Sequence, residues 1–365
     1  MAKKIRKINK EKKRLIIVMA FLAFLATILI VVGLHNIQQK VEMPKEVRGI
    51  WVAYLDYKEL GLYNKSEKEF KKNMEDFLEK AKEKDINTVY FHVRAFDDAV
   101  YKSNEFPLSR EIWDRKEEIP YDPLETAIEI VHKDGMQIHA WMNPYRITVD
   151  YFLDPALDTS TQRIVDEVKE IMEYDVDGIH FDDYFYNAAK GYKDVDGKKS
   201  ISVKDEPSDQ EKKSNVNQMI SQVYKTVKTI DKKKSFGISP QGNMGNCRSI
   251  GADIDTWLTE DGYVDYIVPQ IYWTDNHTAK WRPKMFTDTL IEWQSINALE
   301  KPIYPGLALY RTGITASDDL GWGKQDNNLQ LQVEKLREAG CKGYVLFSAR
   351  DLYLKHSKKE LDNLK

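Results

Sequence analysis

Val176-Asp-Gly-Ile-His-Phe-Asp-Asp-Tyr-Phe185 reads as a short apolar strand whose tip carries two adjacent carboxylates, Asp182 and Asp183, followed by aromatic rings. The same plan, an apolar run ending in polar and aromatic residues, recurs at residues 47–54, 86–94, 136–143, 235–241, 264–273, 303–310 and 343–350. Between the runs lie amphipathic stretches that predict helices. Residues 66–84 open on a Ser66-x-x-Glu69 capping box, and residues 122–133 have Pro123 just inside the start and Gly135 just past the end. Further helices are expected over 159–174, 214–230, 286–299 and 327–339, whereas only the short stretch 253–258 stands after the fifth run. Eight strands alternating with helices predict a (β/α)8 TIM barrel over residues 46–365. A doubly wound open sheet would want a Gly-rich phosphate turn after its first strand, and Trp51-Val-Ala-Tyr-Leu-Asp56 has none.

In such a barrel the chemistry sits at the carboxyl ends of the strands, and side chains two apart along a strand share a face. One face is unusually polar. It carries His92 and Arg94 from the second run, His139, Trp141 and Asn143 from the third, His180 and Asp182 from the fourth, and Gln270 and Tyr272 from the sixth. A barrel interior is normally filled by Val, Ile and Leu, so this convergence predicts a site more than a core. Any one His alone reads as a satisfied interior residue; only the group argues for function.

Carboxylates move protons at glycosidic bonds, and aromatic rings offer flat faces to pyranose C–H surfaces, so the expected chemistry is sugar hydrolysis. The expected catalytic residues are Asp182 and Asp183. Arg94, His139, Trp141, Asn143, Tyr145, Arg146, His180, Tyr184, Gln270, Tyr272 and Trp273 are expected to bind substrate. Tyr186 and Tyr310 fit the same cleft or serve as core, and Arg311 and Arg350 are either ligands or partners that hold strand-end aspartates ionised. A two-carboxylate mechanism needs a second acid, for which Asp183, Asp97, Asp98 and Asp56 are candidates.

The amino-terminal residues set the location. Residues 1–14 are crowded with Lys and Arg, and residues 15–34 are uncharged and mostly apolar. At about 1.5 Å per helical residue, about 20 residues span the hydrocarbon core. This predicts one transmembrane anchor with a cytoplasmic basic flank, a linker over 35–45 and a barrel on the outer side. A cleaved signal peptide is the alternative, disfavoured by the long apolar region and the lack of a small-x-small site. Two cysteines, Cys247 and Cys341, support neither a disulfide scaffold nor a lipid-attachment site. The formal net charge is -3, and no basic stripe with interleaved aromatics points to nucleic acid. No His or Cys pair has zinc spacing, so no metal or cofactor is expected; a calcium or magnesium ion at Asp182 and Asp183 is the weaker alternative.

Several segments together resemble the glycosyl hydrolase-like 10 family, once a domain of unknown function. They are Arg48-Gly-Ile-Trp51, Val93-Arg94, Tyr121-Asp-Pro-Leu124, His139-Ala-Trp-Met-Asn-Pro-Tyr-Arg146, residues 174–186, Asn215-Val-Asn217, Phe236-Gly-Ile-Ser-Pro240 and Pro269-Gln-Ile-Tyr-Trp273. The resemblance implies a TIM-barrel glycosidase outside the cytoplasm, acting in some members on peptidoglycan strands stripped of their peptides. The chain departs from the pattern at Glu211-Lys-Lys-Ser214 and in the hydrophilic, Lys-rich loop 187–210. The fourth run also echoes the chitinase-type motif incompletely, with His180 and Tyr184 where carboxylates are expected. On this resemblance, the substrate's own N-acetyl group attacks and Asp182 orients it. The competing expectation is a non-catalytic barrel that binds cell-wall glycan.

Overall fold

The computed structural model describes residues 44–364; the expected anchor, residues 15–34, and the basic segment before it lie outside the described residues. The strands, in chain order, are β1 (Val47–Val52), β2 (Thr88–Arg94), β3 (Gln137–Met142), β4 (Tyr151–Leu153), β5 (Gly178–Phe181), β6 (Gly191–Lys193), β7 (Lys199–Ser202), β8 (Ser235–Ile238), β9 (Tyr266–Ile267), β10 (Gly306–Leu307) and β11 (Gly343–Leu346). Eight of them pair in parallel in the order β10-β11-β1-β2-β3-β5-β8-β9. Bridges Ile267–Ile303 and Gln270–Gly306 join the two ends. The sheet is therefore a closed barrel of eight strands, one from each apolar run.

The helices follow the sequence signals closely at their starts. In α1 (Glu67–Lys82) the Ser66 hydroxyl accepts from the Glu69 amide, and the Glu69 carboxylate accepts from Ser66 in return. In α2 (Pro123–Lys133) the Asp122 carboxylate accepts from the amides of Leu124 and Glu125. α3 (Asp158–Ile171) lies as expected, whereas α4 (Asp209–Ile230) begins over a turn earlier than expected. A second capping box, Ser208 with Glu211, nucleates it there. After β8 the chain makes only two short helices, α5 (Met244–Ser249) and α6 (Ile254–Thr259), which is the irregular connection foreseen at that position.

Strand alternation divides the apolar side chains into two cores. Ile50, Val52, Phe91, Ile138, Ile179, Phe236 and Ile267 point outward into the layer shared with the helices. Trp51, Tyr90, Trp141, Tyr266, Tyr304 and Val345 point into the barrel. Each buried large apolar side chain contributes about 1.5–3 kcal/mol relative to exposure. An interior filled by aromatics instead of aliphatics needs room, and glycines supply it. A Cβ on Gly237 would stand 2.3 Å from the Tyr266 ring, and one on Gly178 would stand 2.7 Å from His139 Nδ1.

The Lys-rich loop after β5 is not irregular. β6 and β7 form an antiparallel hairpin, and β6 pairs in parallel with β4 to make a separate three-stranded sheet. That sheet positions the site, because Phe152 of β4 bridges to Arg146 and the Leu153 amide donates to Tyr145 O at 2.7 Å.

Candidate active site

A cleft of about 250 Å³ opens at the carboxyl ends of the barrel strands. His92 and Trp141 from β2 and β3, with Asn143 and Arg146 just beyond β3, form one wall, and Gln270 and Tyr272 beyond β9 stand across the barrel from them. Tyr54, Leu55, Tyr310 and Phe347 form the rim, Trp51 lies at the base, and Asp182, Asp183 and Tyr184 follow directly from the end of β5. The His92 and Trp141 rings stack, with centroids 3.7 Å apart.

The two aspartates are both buried, each 9% exposed. Asp182 is held by its backbone amide on Met142 O at 3.0 Å, and its Oδ1 accepts from the Asp183 amide at 2.9 Å and from Gln270 Nε2 at 3.1 Å. Gln270 is fixed in turn by donating to Ser239 O at 2.9 Å. The two carboxyl groups also interact directly, which disfavours ionisation of both at once. Burial and then the Asp183 charge push Asp182 well above the usual carboxylate range. Burial also raises Asp183, but hydrogen bonds from Asp182 and Gln241 favour its ionised form. Of the pair, Asp182 is pushed further toward its protonated form. Its Oδ1 already takes two N–H donors, which leaves Oδ2 as the oxygen free to carry a proton.

Arg146 sits between two rings, with its guanidinium carbon 4.7 Å from the Phe96 centroid and 4.3 Å from that of Tyr184. It is 8% exposed, lines the cleft and interacts with the Tyr54 hydroxyl on the rim. Tyr184 is braced from behind by Phe152 of the accessory sheet at 5.9 Å.

Of the residues expected at the site, Asp182, Asp183, Trp141, Asn143, Arg146, Tyr184, Gln270 and Tyr272 line the cleft together. Five do not. Arg94 is fully buried, pairing with Glu167 of α3 at 2.6 Å and donating to Asn143 O at 2.5 Å. A register irregularity between His92 and Arg94 turns it off the inward face. His139 and His180 face inward but lie a layer lower. Both bond to the Tyr266 hydroxyl, at 2.9 and 3.2 Å, and His180 also meets Trp51 Nε1 at 3.2 Å. Burial lowers the basicity of both rings, to about 4 for His139, so they are neutral structural groups. Tyr145 is wholly buried behind the cleft, and Trp273 stands outside it beside His277.

The alternative acids fall elsewhere too. Asp97 pairs with Arg163 at 2.6 Å, Asp98 faces Ser109, and Asp56 bonds to the Ala53 amide and the Ser348 hydroxyl, each at 3.0 Å. None of the three lines the cleft. Arg311 pairs with Asp318 at 2.9 Å and Arg350 lies 3.5 Å from Asp56, so both act as aspartate partners. Tyr186 is buried and accepts from Asn215 at 2.8 Å. Among the described residues no group of three His, Cys, Asp or Glu side chains is arranged to hold a metal, and the aspartate pair lacks a third such ligand.

Sequence reasoning passed over Tyr54, Leu55, Ser239 and Phe347 as site residues. Phe347 was within reach of the same alternation, two residues on from Val345, itself two on from Gly343.

The model of the family described as glycosyl hydrolase-like 10 matches residues 46–152 and 148–324. Glycosyl hydrolase YngK of Bacillus subtilis is 28% identical over 370 residues, spanning 85% of this chain and 69% of its own length. Glycosyl hydrolase DigH of Escherichia coli K12 is 28% identical over 345 residues, spanning 77% of each. Among solved structures, a class V chitinase mutant from Cycas revoluta in complex with (GlcNAc)3 superposes with a TM-score of 0.53 at 10% identity, over 87% of this chain and 100% of that one. An endo-1,4-beta-mannanase from Rhizomucor miehei gives 0.53 at 10% identity, over 84% and 87%. At that identity the structural likeness concerns the fold.

Proposed function

We propose, from the premise that the chain belongs to the glycosyl hydrolase-like 10 family, that it is a glycoside hydrolase of cell-wall glycan whose substrate is the peptide-free peptidoglycan strand. Residues 15–34 would hold it to the membrane with the barrel, residues 46–365, on the outer side. The observation that supports catalysis over mere binding is the Asp182–Asp183 pair. Two interacting carboxyl groups, with Asp182 pushed the further toward its protonated form, sit in a buried, aromatic-lined cleft.

The placement of the pair favours one mechanism. Opposed carboxylates stand about 5–5.5 Å apart in retaining glycosidases and about 6.5–9.5 Å apart in inverting ones. Asp182 and Asp183 lie side by side at the end of one strand, and no other Asp or Glu lines the cleft to stand opposite them. A substrate N-acetyl group supplies the missing nucleophile. Its carbonyl oxygen bonds to the anomeric carbon as the glycosidic C–O bond breaks, and Asp182 Oδ2 gives its proton to the departing oxygen. Asp183 stays charged and stabilises the cationic ring through the acetamido N–H. Water then opens that ring and returns a proton to Asp182. In this scheme Asp182 is the acid, and Asp183 takes the orienting role that the chitinase-type resemblance implied for Asp182.

Activity is expected to fall as pH rises through the Asp182 value, because the acid is then lost. The test incubates the full chain in detergent micelles with peptide-free peptidoglycan strands, peptide-bearing strands, chitooligosaccharides and a starch-type glycan, with mass spectrometry of the products. Release of defined saccharides from the peptide-free strands is expected. Saturable binding with no release from any glycan would refute the hydrolase and leave a wall-binding barrel.

A further inference from the structure

The mechanism leaves one charged group in the cleft without a task. Arg146 is a buried guanidinium whose Nε has no hydrogen-bond partner among the described residues. Trp141 Nε1, on the same wall, is likewise buried without a partner. A buried donor left unpaired costs about 1–3 kcal/mol, and more when it belongs to a charged group. Both side chains line the cleft, so a small opening of this wall would bring the two donors to an acceptor that arrives with the ligand. The neighbouring Asp183 charge is not that acceptor, because it is directed to Asp182 and Gln241. The fixed plane of the guanidinium, held between Phe96 and Tyr184, suits a planar acceptor that takes two parallel hydrogen bonds.

We propose that Arg146 and Trp141 form a carboxylate-recognition subsite, so that the cleft selects a sugar whose acid group is free and not amidated. The proposal rests on the glycan reading of this same cleft. It gives a physical basis for choosing peptide-free strands. A lactyl ether carboxylate is ionised and offers two acceptor oxygens when bare, whereas peptide attachment converts it to a neutral amide with one. A free carboxylate bound beside the aspartate pair also adds negative charge there, which strengthens the hold of Asp182 on its proton. The acid would thus be best protonated when the acidic ligand is in place.

The test measures binding by calorimetry with the full chain in detergent, carrying Asp182→Asn to stop turnover. The ligands are a tetrasaccharide of alternating N-acetylglucosamine and N-acetylmuramic acid with free carboxylates, the same tetrasaccharide as its methylamide, chitotetraose, and a uronate-containing tetrasaccharide. With Arg146 present, the free acid should bind about 10- to 100-fold tighter than the methylamide. Arg146→Met should abolish that preference while leaving chitotetraose affinity within about threefold, and Arg146→Lys should retain part of it. Any effect of Arg146 on the aspartate pair cancels in the ratio of the two ligands.

Equal binding of acid and amide, an equal loss for all ligands in Arg146→Met, or no binding of any ligand would overturn the proposal. Preference for the uronate over the lactyl acid would keep the carboxylate subsite and reassign its source. If the wild-type chain hydrolyses a glycan yet shows no acid preference, the subsite fails and the hydrolase stands. If it prefers the acid but cleaves nothing, the hydrolase fails and the subsite stands.

Discussion

Asp56 offers a stability prediction that depends on no ligand. Its side chain is fully buried, accepts from the Ala53 amide and the Ser348 hydroxyl, and ties the end of β1 to the residues after β11. Burial raises its acid to about 7 from 3.8, only partly offset by those bonds and by Arg350. Between those two values the folded chain keeps a proton that the unfolded chain has lost, so stability falls as pH rises across that interval and levels off above it. At about 1.4 kcal/mol per pH unit, the ionised form costs the fold about 4 kcal/mol once pH passes well above 7. Asp56→Asn cannot ionise; its amide oxygen still accepts from the Ala53 amide, while its NH2 donates to the Ser348 hydroxyl, which turns its own proton to Asp351. Urea unfolding of the wild type and the variant should therefore agree within about 1 kcal/mol at acidic pH, where both side chains are neutral. At alkaline pH the variant should be more stable by up to about 4 kcal/mol. A difference that does not change with pH, or a variant that loses stability at alkaline pH, would refute the reasoning that burial controls this carboxyl group.

Two further outcomes follow from the geometry. Arg94→Met removes the partner of a buried carboxylate, Glu167, and should lower unfolding stability by about 3–5 kcal/mol. At temperatures where the variant remains folded, its glycan affinity should be unchanged, which binding calorimetry checks. Gln270→Ala removes the donor that fixes Asp182 Oδ1 and should lower kcat about 10- to 100-fold with KM little altered, as steady-state kinetics would show.

The barrel was legible because each apolar run ended in polar residues and each helix start carried its own cap. Alternation placed Trp141 on the inward face, since a regular strand leaves no other choice, whereas Asp182, Gln270 and Tyr272 reached the cleft from just past the ends of β5 and β9. It failed at Arg94, where the irregularity after His92 broke the period of two. It also assigned a face without a height, which is why His139 and His180 were expected in the cleft but lie beneath it as partners of the Tyr266 hydroxyl. Tyr145 and Trp273 lie past the ends of their strands, where no period applies. The accessory sheet was hidden by the hydrophilic composition of its hairpin, although Asp196-Gly197 marked a turn and Gly197 has a φ of 79°. The pairing of β6 with β4 joins segments about 40 residues apart, and no local pattern announces it.

The central claim is that Asp182 supplies the proton for glycosidic cleavage, and turnover by Asp182→Asn tests it most directly. Asparagine keeps the size and the Oδ1 acceptor for Gln270 and the Asp183 amide but has no acid proton to give. Saccharide release from peptide-free strands should fall at least about 1,000-fold while affinity for the strands stays within about threefold. Turnover within tenfold of the wild type would contradict the account and move the acid to another group.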